Sequence, residues 1–327
     1  MLKVFLLIVV GLAGDPEHGK TFHAWGNSLA EASSRLGVPA ERLTYLVDAP
    51  AEGDKLVTGK STKEEIAKAF DSIAKQAKPE DLVFVTLIGF GTYQGGDAKF
   101  NLPGPDMTPA DFDAQLKKLP TKQIVFVNTA SASGPFVEQL SGPGRTIVTA
   151  TRNGAEQYAT LFGGYFIDAL TSEAADADKN KRITVLEAFR YAKGEVARAY
   201  EKDGHLSTEH ALLDDNGDGV GREAQSPLDQ KAPRGQLDQK AQGRPLEEKA
   251  PGNPIPDGTL ARTVYLAPEP SGTGDPELLK RRAALERQLD DLRTRKASSP
   301  NPAQLDADIE RLLIEIARLS QQLREQR

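Results

Sequence analysis

The chain has 327 residues, 39% hydrophobic and 27% charged, enough for one sizeable α/β core with residues left for an appendage. Its net charge of −6 argues against a nucleic-acid partner or an anionic membrane surface, since both need a basic face. The absence of cysteine removes disulfides, thiolate metal sites and a thiol nucleophile together.

The N-terminus fits two readings. Met1-Leu2-Lys3, the run Val4 to Val10 and then Gly11-Leu12-Ala13 have the order of a short signal peptide, and equally that of a buried first strand opening a parallel sheet. Strand-length apolar runs at 3–11, 43–48, 81–89, 123–129 and 146–151 then alternate with helical patterns near 21–36, 62–76, 108–119, 134–140, 160–172 and 185–201. That alternation is the signature of βαβ units around a parallel sheet flanked by helices. No run reaches the roughly 20 apolar residues of a membrane span, so a soluble protein without a membrane span is expected. Its compartment stays open, with export to a periplasm following if an upstream signal has been removed.

The α/β domain is expected to occupy residues 1–222. From 223 to 260 the composition turns to Pro, Gly, Gln and charge, with three nine-residue copies, PLDQKAPRG, QLDQKAQGR and PLEEKAPGN, carrying Leu228, Leu237 and Leu246. So few apolar groups do not offset the ordering of a backbone, which makes this a linker, or else a leucine-bearing docking peptide. Residues 261–327 hold a short strand at Thr263–Leu266 and two helical patterns, 276–296 and 302–326, split by Ser298-Ser299-Pro300-Asn301-Pro302. In the second, Leu305, Ile309, Leu312, Ile316, Leu319 and Leu323 recur in steps of four and three, a seam that wants a partner. Leu278, Leu285, Leu289 and Leu292 supply one as an antiparallel helical hairpin, a coiled coil that docks or self-associates through 276–326.

Reactive groups in doubly wound folds stand at the carboxyl ends of adjacent strands, here Leu87-Ile88-Gly89-Phe90-Gly91-Thr92 and Val127-Asn128-Thr129-Ala130-Ser131-Ala132-Ser133-Gly134. These segments resemble the paired active-site segments of the caspase- and legumain-like (clan CD) cysteine peptidases, in a legumain-like member of bacterial type. There, one strand ends in His-Gly and the next in an acidic residue, Ala, Cys, any residue, Ser-Gly. The resemblance spans about residues 3–220 and implies a caspase-hemoglobinase-like fold. It places the family's general base on Phe90 and its nucleophile on Ser131, while Gly91, Ser133 and Gly134 keep the pattern. A serine needs a base within hydrogen-bond reach, and a phenyl ring is none. The implied catalytic dyad is degenerate, and no catalytic residue is assigned.

An active hydrolase using Ser131 would have to borrow His18, His23, His205 or His210, and none of these falls beside a strand end in the sequence pattern. Two loops have metal-ligand spacing. Asp176, Asp178, Asn180, the Arg182 carbonyl, Thr184 and Glu187 occupy positions 1, 3, 5, 7, 9 and 12 of an EF-hand-like loop, with Lys181 where the turn wants Gly. Thr184 and Glu187 equally form a capping box for the following helix. Asp214, Asn216 and Asp218 make a weaker set at positions 1, 3 and 5, with Gly219 at 6 and Gln225 at 12. Calcium is the cofactor these loops point to. The expected function is that of a pseudo-peptidase binding a protein or peptide partner, against two alternatives: a serine-based hydrolase, and a coiled-coil assembly protein.

Overall fold

The computed structural model describes residues 2–223, 257–267 and 303–325, together with 277, 278, 281, 282, 284, 285, 288, 289 and 292. Seven strands form one sheet in the order β3-β2-β1-β4-β7-β8-β9. They are β1 (Val4–Val10), β2 (Leu43–Val47), β3 (Gly59–Lys60), β4 (Leu82–Ile88), β7 (Gln123–Asn128), β8 (Arg145–Thr149) and β9 (Leu212–Asp214). All pairings are parallel except that of β9 with β8. The helices are α1 (Pro16–Ala32), α2 (Lys63–Gln76), α3 (Pro109–Leu116), α4 (Phe136–Leu140), α5 (Phe162–Thr171) and α6 (Val185–Lys202). This is the caspase-like α/β architecture the sequence leads one to expect.

The sheet is covered on both faces, which is why its strands read as unbroken apolar runs. In β1, Val4, Leu6, Ile8 and Val10 enter the core shared with Phe22, Phe162, Phe166 and Phe189 of α1, α5 and α6. Phe5, Leu7 and Val9 enter the other, with Ile66, Phe70, Phe112 and Phe136 of α2, α3 and α4. β1 is wholly buried and hydrogen-bonded between β2 and β4. Of the two readings of residues 1–13 the structure takes the strand, and removing that segment would empty the middle of the sheet.

Three features depart from the sequence expectations. First, α1 begins at Pro16 instead of near 21, because Asp15 accepts the Glu17 and His18 N–H groups as an N-cap and Pro16 fits the first turn. Second, a two-stranded hairpin, β5 (Gly91–Gln94) and β6 (Asp97–Phe100), follows β4 directly. Gly95 (φ 64°) and Gly96 (φ 95°) supply the two left-handed residues its tight turn needs. Third, the boundary shifts: residues 257–267 belong to the α/β unit, which runs to Ala267. Asp215 accepts the N–H groups of Gly258 (2.9 Å) and Ala261 (2.7 Å), and Ala261, Val264 and Leu266 are buried in the α6-side core. The strand expected at 263–266 is reduced to one bridge, Thr184 with Tyr265.

The second unit comprises residues 268–327. Its helix α7 (Ala303–Glu325) covers most of the expected 302–326 pattern. Leu285 and Leu289 pack with Leu312 and Leu319, and Leu278, Leu292, Ile309 and Ile316 lie against them. The nine-residue repeats and the turn at 298–302 lie outside the described residues. Among the described residues no helix is long and apolar enough to cross a membrane.

Candidate active-site cleft and metal loops

The carboxyl ends of β4 and β7 stand side by side, with Leu87 paired to Asn128. After Ile88 the chain passes through Gly89 to Phe90, whose half-buried ring makes edge contacts with His18 (5.1 Å between centroids) and Phe22 (5.3 Å). Beyond Asn128, Thr129 donates its hydroxyl to the Leu87 carbonyl (2.8 Å), clamping the two strand ends. Ser131 comes next and is 1% exposed. Its hydroxyl accepts the Gly91 N–H at 3.2 Å and donates to the Gly91 carbonyl at 3.1 Å.

Ala132 follows in the left-handed region (φ 53°) and donates its N–H to the Glu156 carbonyl. Ser133 is fully buried, its hydroxyl accepting the Thr151 N–H, while Gly134 donates its N–H to Thr151 Oγ1. A Cβ on Gly91 would meet the Ser131 carbonyl at 2.3 Å, and one on Gly134 would meet the Arg152 backbone at the same distance. Both glycines are therefore demanded by packing, whatever chemistry the site does or lacks.

Residues 55–214 match the Peptidase C13 family. Over this stretch the α/β domain is similar to that family. No curated protein matches the chain. A solved structure that is similar is that of protein GSU0716 from Geobacter sulfurreducens, at 14% identity over 65% of this chain and 92% of that one, with a TM-score of 0.43.

At the two positions where the peptidase pattern places base and nucleophile, this chain has an aromatic side chain packed among aromatics and a buried hydroxyl engaged on both sides by Gly91. The histidines are placed differently from the sequence expectation in one respect. His18 does stand at a strand end, because the early start of α1 brings it against Phe90, just past the end of β4. Asp15 Oδ2 holds its Nδ1 at 2.6 Å, and the helix N-terminal N–H groups and His18 together keep the Asp15 carboxyl below its ordinary range. This Asp15–His18 pair is what the sequence reading missed. Asp-Pro before a helical run was the available signal.

His23 Nε2 bonds Asp48 at 2.7 Å, and His210 Nδ1 bonds Glu156 at 2.7 Å, beside Arg152. Among the described residues the hydrogen bonds of the Ser131 hydroxyl go to Gly91 and to no histidine.

The loop before α6 brings together three of its expected ligands: Asp176, Asp178 and Glu187 place one oxygen each within 4.8 Å of one another. Asn180 donates its N–H to Asp176 and Asp178, and Arg182 donates its own to the Asn180 carbonyl oxygen of the side chain. Thr184 is used as a cap, bonding Glu187 in both directions, so the capping-box reading of these two residues holds alongside the clustering. The Arg182 guanidinium lies over the Tyr265 ring, 3.7 Å from its centroid. Lys181 pays for the missing glycine with a left-handed backbone (φ 64°). Desolvation, then the charges of Glu187 and Asp176, push the Asp178 carboxyl up to about 6. Three crowded carboxylates of this kind are what a hard divalent cation would relieve.

In the second loop, Asn216 and Asp218 are joined by Asn216 Nδ2 donating to Asp218 Oδ2 (3.3 Å), and Asp214 accepts the Gly217 N–H (3.2 Å). Arg222 bonds Asp218 at 2.7 Å and Asp257 at 2.6 Å.

Proposed function

We propose that this Peptidase C13-like chain is a non-catalytic, peptidase-like module that binds a protein or peptide partner at the carboxyl end of its sheet. The observation that carries this reading is the state of Ser131: buried, and hydrogen-bonded through its hydroxyl to both the N–H and the carbonyl of Gly91. A nucleophile must be free to approach a carbonyl carbon and must have a base in reach, and this hydroxyl has neither. The surrounding loops favour binding. Leu12, Tyr93, Tyr158 and Leu161, all in segments that follow strand ends, are exposed, Tyr158 by 73%. Aromatic side chains in that state are the usual anchors of a partner.

The test is direct. The protein should neither cleave peptide substrates nor label at Ser131 with a fluorophosphonate, and Tyr158→Ser with Leu161→Ser should weaken a partner captured by the wild type. Turnover abolished by Ser131→Ala would overturn the reading. We further propose that calcium at the Asp176/Asp178/Glu187 loop stabilises the module.

A second reading has its own observation. Besides the packed seam, α7 exposes Leu313 (42%) and Ile314 (48%), which favours self-association through the second unit.

A further inference from the structure

Four carboxylates stand at the loop after β9, Asp214 at the end of the strand, Asp215 and Asp218 within the loop and Asp257 bonded to it from residues 257–267, and three of them have both oxygens hydrogen-bonded. Asp215 accepts the Gly258 N–H at Oδ1 and the Ala261 N–H at Oδ2. Asp257 accepts the Asp215 N–H at Oδ1 (3.2 Å) and Arg222 at Oδ2 (2.6 Å). Asp218 accepts the Val220 N–H at Oδ1 (2.8 Å), and Arg222 and the Asn216 amide at Oδ2.

Asp214 differs. It is 1% exposed, its Oδ1 takes the Gly217 N–H, and its Oδ2 is buried with no hydrogen-bond partner. Arg222 offsets Asp218 and Asp257 but makes no bond to Asp214. A buried carboxylate oxygen without a donor is costly, and folded proteins satisfy such a group with a hydrogen bond, a water or a cation.

The surrounding sequence selects among these. Asp214, Asn216 and Asp218, followed by Gly219 in the left-handed region (φ 76°), stand in the order in which calcium loops present their first oxygens and make their turn. We propose that this loop is a second cation site, taking a hard divalent ion of the calcium class, with Asp214 Oδ2 as its buried anchor and Asn216 and Asp218 as flanking oxygen donors. The site does not depend on the 176–187 loop, which shares none of its residues.

Isothermal titration of calcium into the full-length chain tests it, with circular dichroism confirming the fold of each variant. The Asp176→Ala/Asp178→Ala variant should keep a calcium-binding event, and Asp214→Asn should lose it. Asn216→Ala, on a less buried side chain, should weaken it by about 10-fold or more and serves if Asp214→Asn fails to fold. One event that survives in Asp176→Ala/Asp178→Ala and vanishes in Asp214→Asn supports this site even if the first loop binds nothing. Three results overturn it: no calcium binding by the wild type at ~10 mM, binding abolished by Asp176→Ala/Asp178→Ala alone, or binding that neither Asp214→Asn nor Asn216→Ala alters.

Discussion

Ser131 and Gly91 hold each other twice, the Gly91 N–H donating to the serine hydroxyl and the hydroxyl donating back to the Gly91 carbonyl. This links the turn after β7 to the first residue of the β5–β6 hairpin, so the nucleophile position acts as a structural tie.

Removing that tie should cost stability and, if the module is non-catalytic as proposed, leave peptide turnover unchanged. Ser131→Ala leaves both Gly91 groups short of a partner in a half-buried setting, a loss of roughly 1–3 kcal/mol. Chemical denaturation of wild type and variant measures it. Ser131→Cys should alkylate with iodoacetamide more slowly than an exposed reference thiol, since position 131 is 1% exposed. Fast alkylation would mean that the turn opens readily and would remove the argument for a closed site.

Glu209 provides a pH test of the fold. It is 4% exposed and accepts the Leu161 and Phe162 N–H groups where α5 begins. Burial pushes its carboxyl above the ordinary 4.5, ahead of the opposing effect of those hydrogen bonds. A folded-state value above the unfolded one means that the folded protein holds the proton more tightly. The contribution is fully present below 4.5 and is lost as pH rises through the folded value. Glu209→Gln should therefore flatten the fall of stability with rising pH in that window, relative to wild type. Parallel melting curves across pH 4 to 8 would show it, and identical slopes would contradict it.

Ile316 packs beside Leu312 and Leu319 in the second unit. Ile316→Asp places a charge in that cluster and should destabilise it by about 2 kcal/mol or more. Light scattering and melting of the two proteins check this. Unchanged mass and unchanged stability would show that the seam holds nothing together.

The central strands were legible because burial on both faces leaves runs such as Val4–Val10 with no polar interruption. What escaped was either short or made by distant partners. The β5–β6 hairpin is half exposed and only four residues a side, though Gly95-Gly96 marked its turn. The docking of 257–267 depends on Asp215, 42 positions or more away along the chain, and nothing local announces it. At the cleft, the adjacency of the strand ends that lead to Phe90 and Ser131 could be read directly. The contact of His18 with Phe90 could not, because it follows from where α1 starts.

Lys181 joins local strain to the calcium proposal and gives a test with a sign for each. Its φ of 64° is one that an L side chain adopts at a cost and glycine adopts freely. It stands at the sixth position of the 176–187 loop, where calcium loops use glycine to turn. Lys181→Gly relieves the strain but frees the unfolded chain, so without calcium the net gain should be small, ~0–1 kcal/mol. With calcium the change should be larger, because the variant also removes a positive charge next to Asp176, Asp178 and Glu187. Millimolar calcium should raise the melting temperature of wild type, raise that of Lys181→Gly by more, and leave Asp176→Ala/Asp178→Ala unmoved through this loop. Equal increments in wild type and Lys181→Gly would show that Lys181 neither strains nor repels the ion. A full increment in Asp176→Ala/Asp178→Ala would place the whole calcium effect elsewhere in the chain.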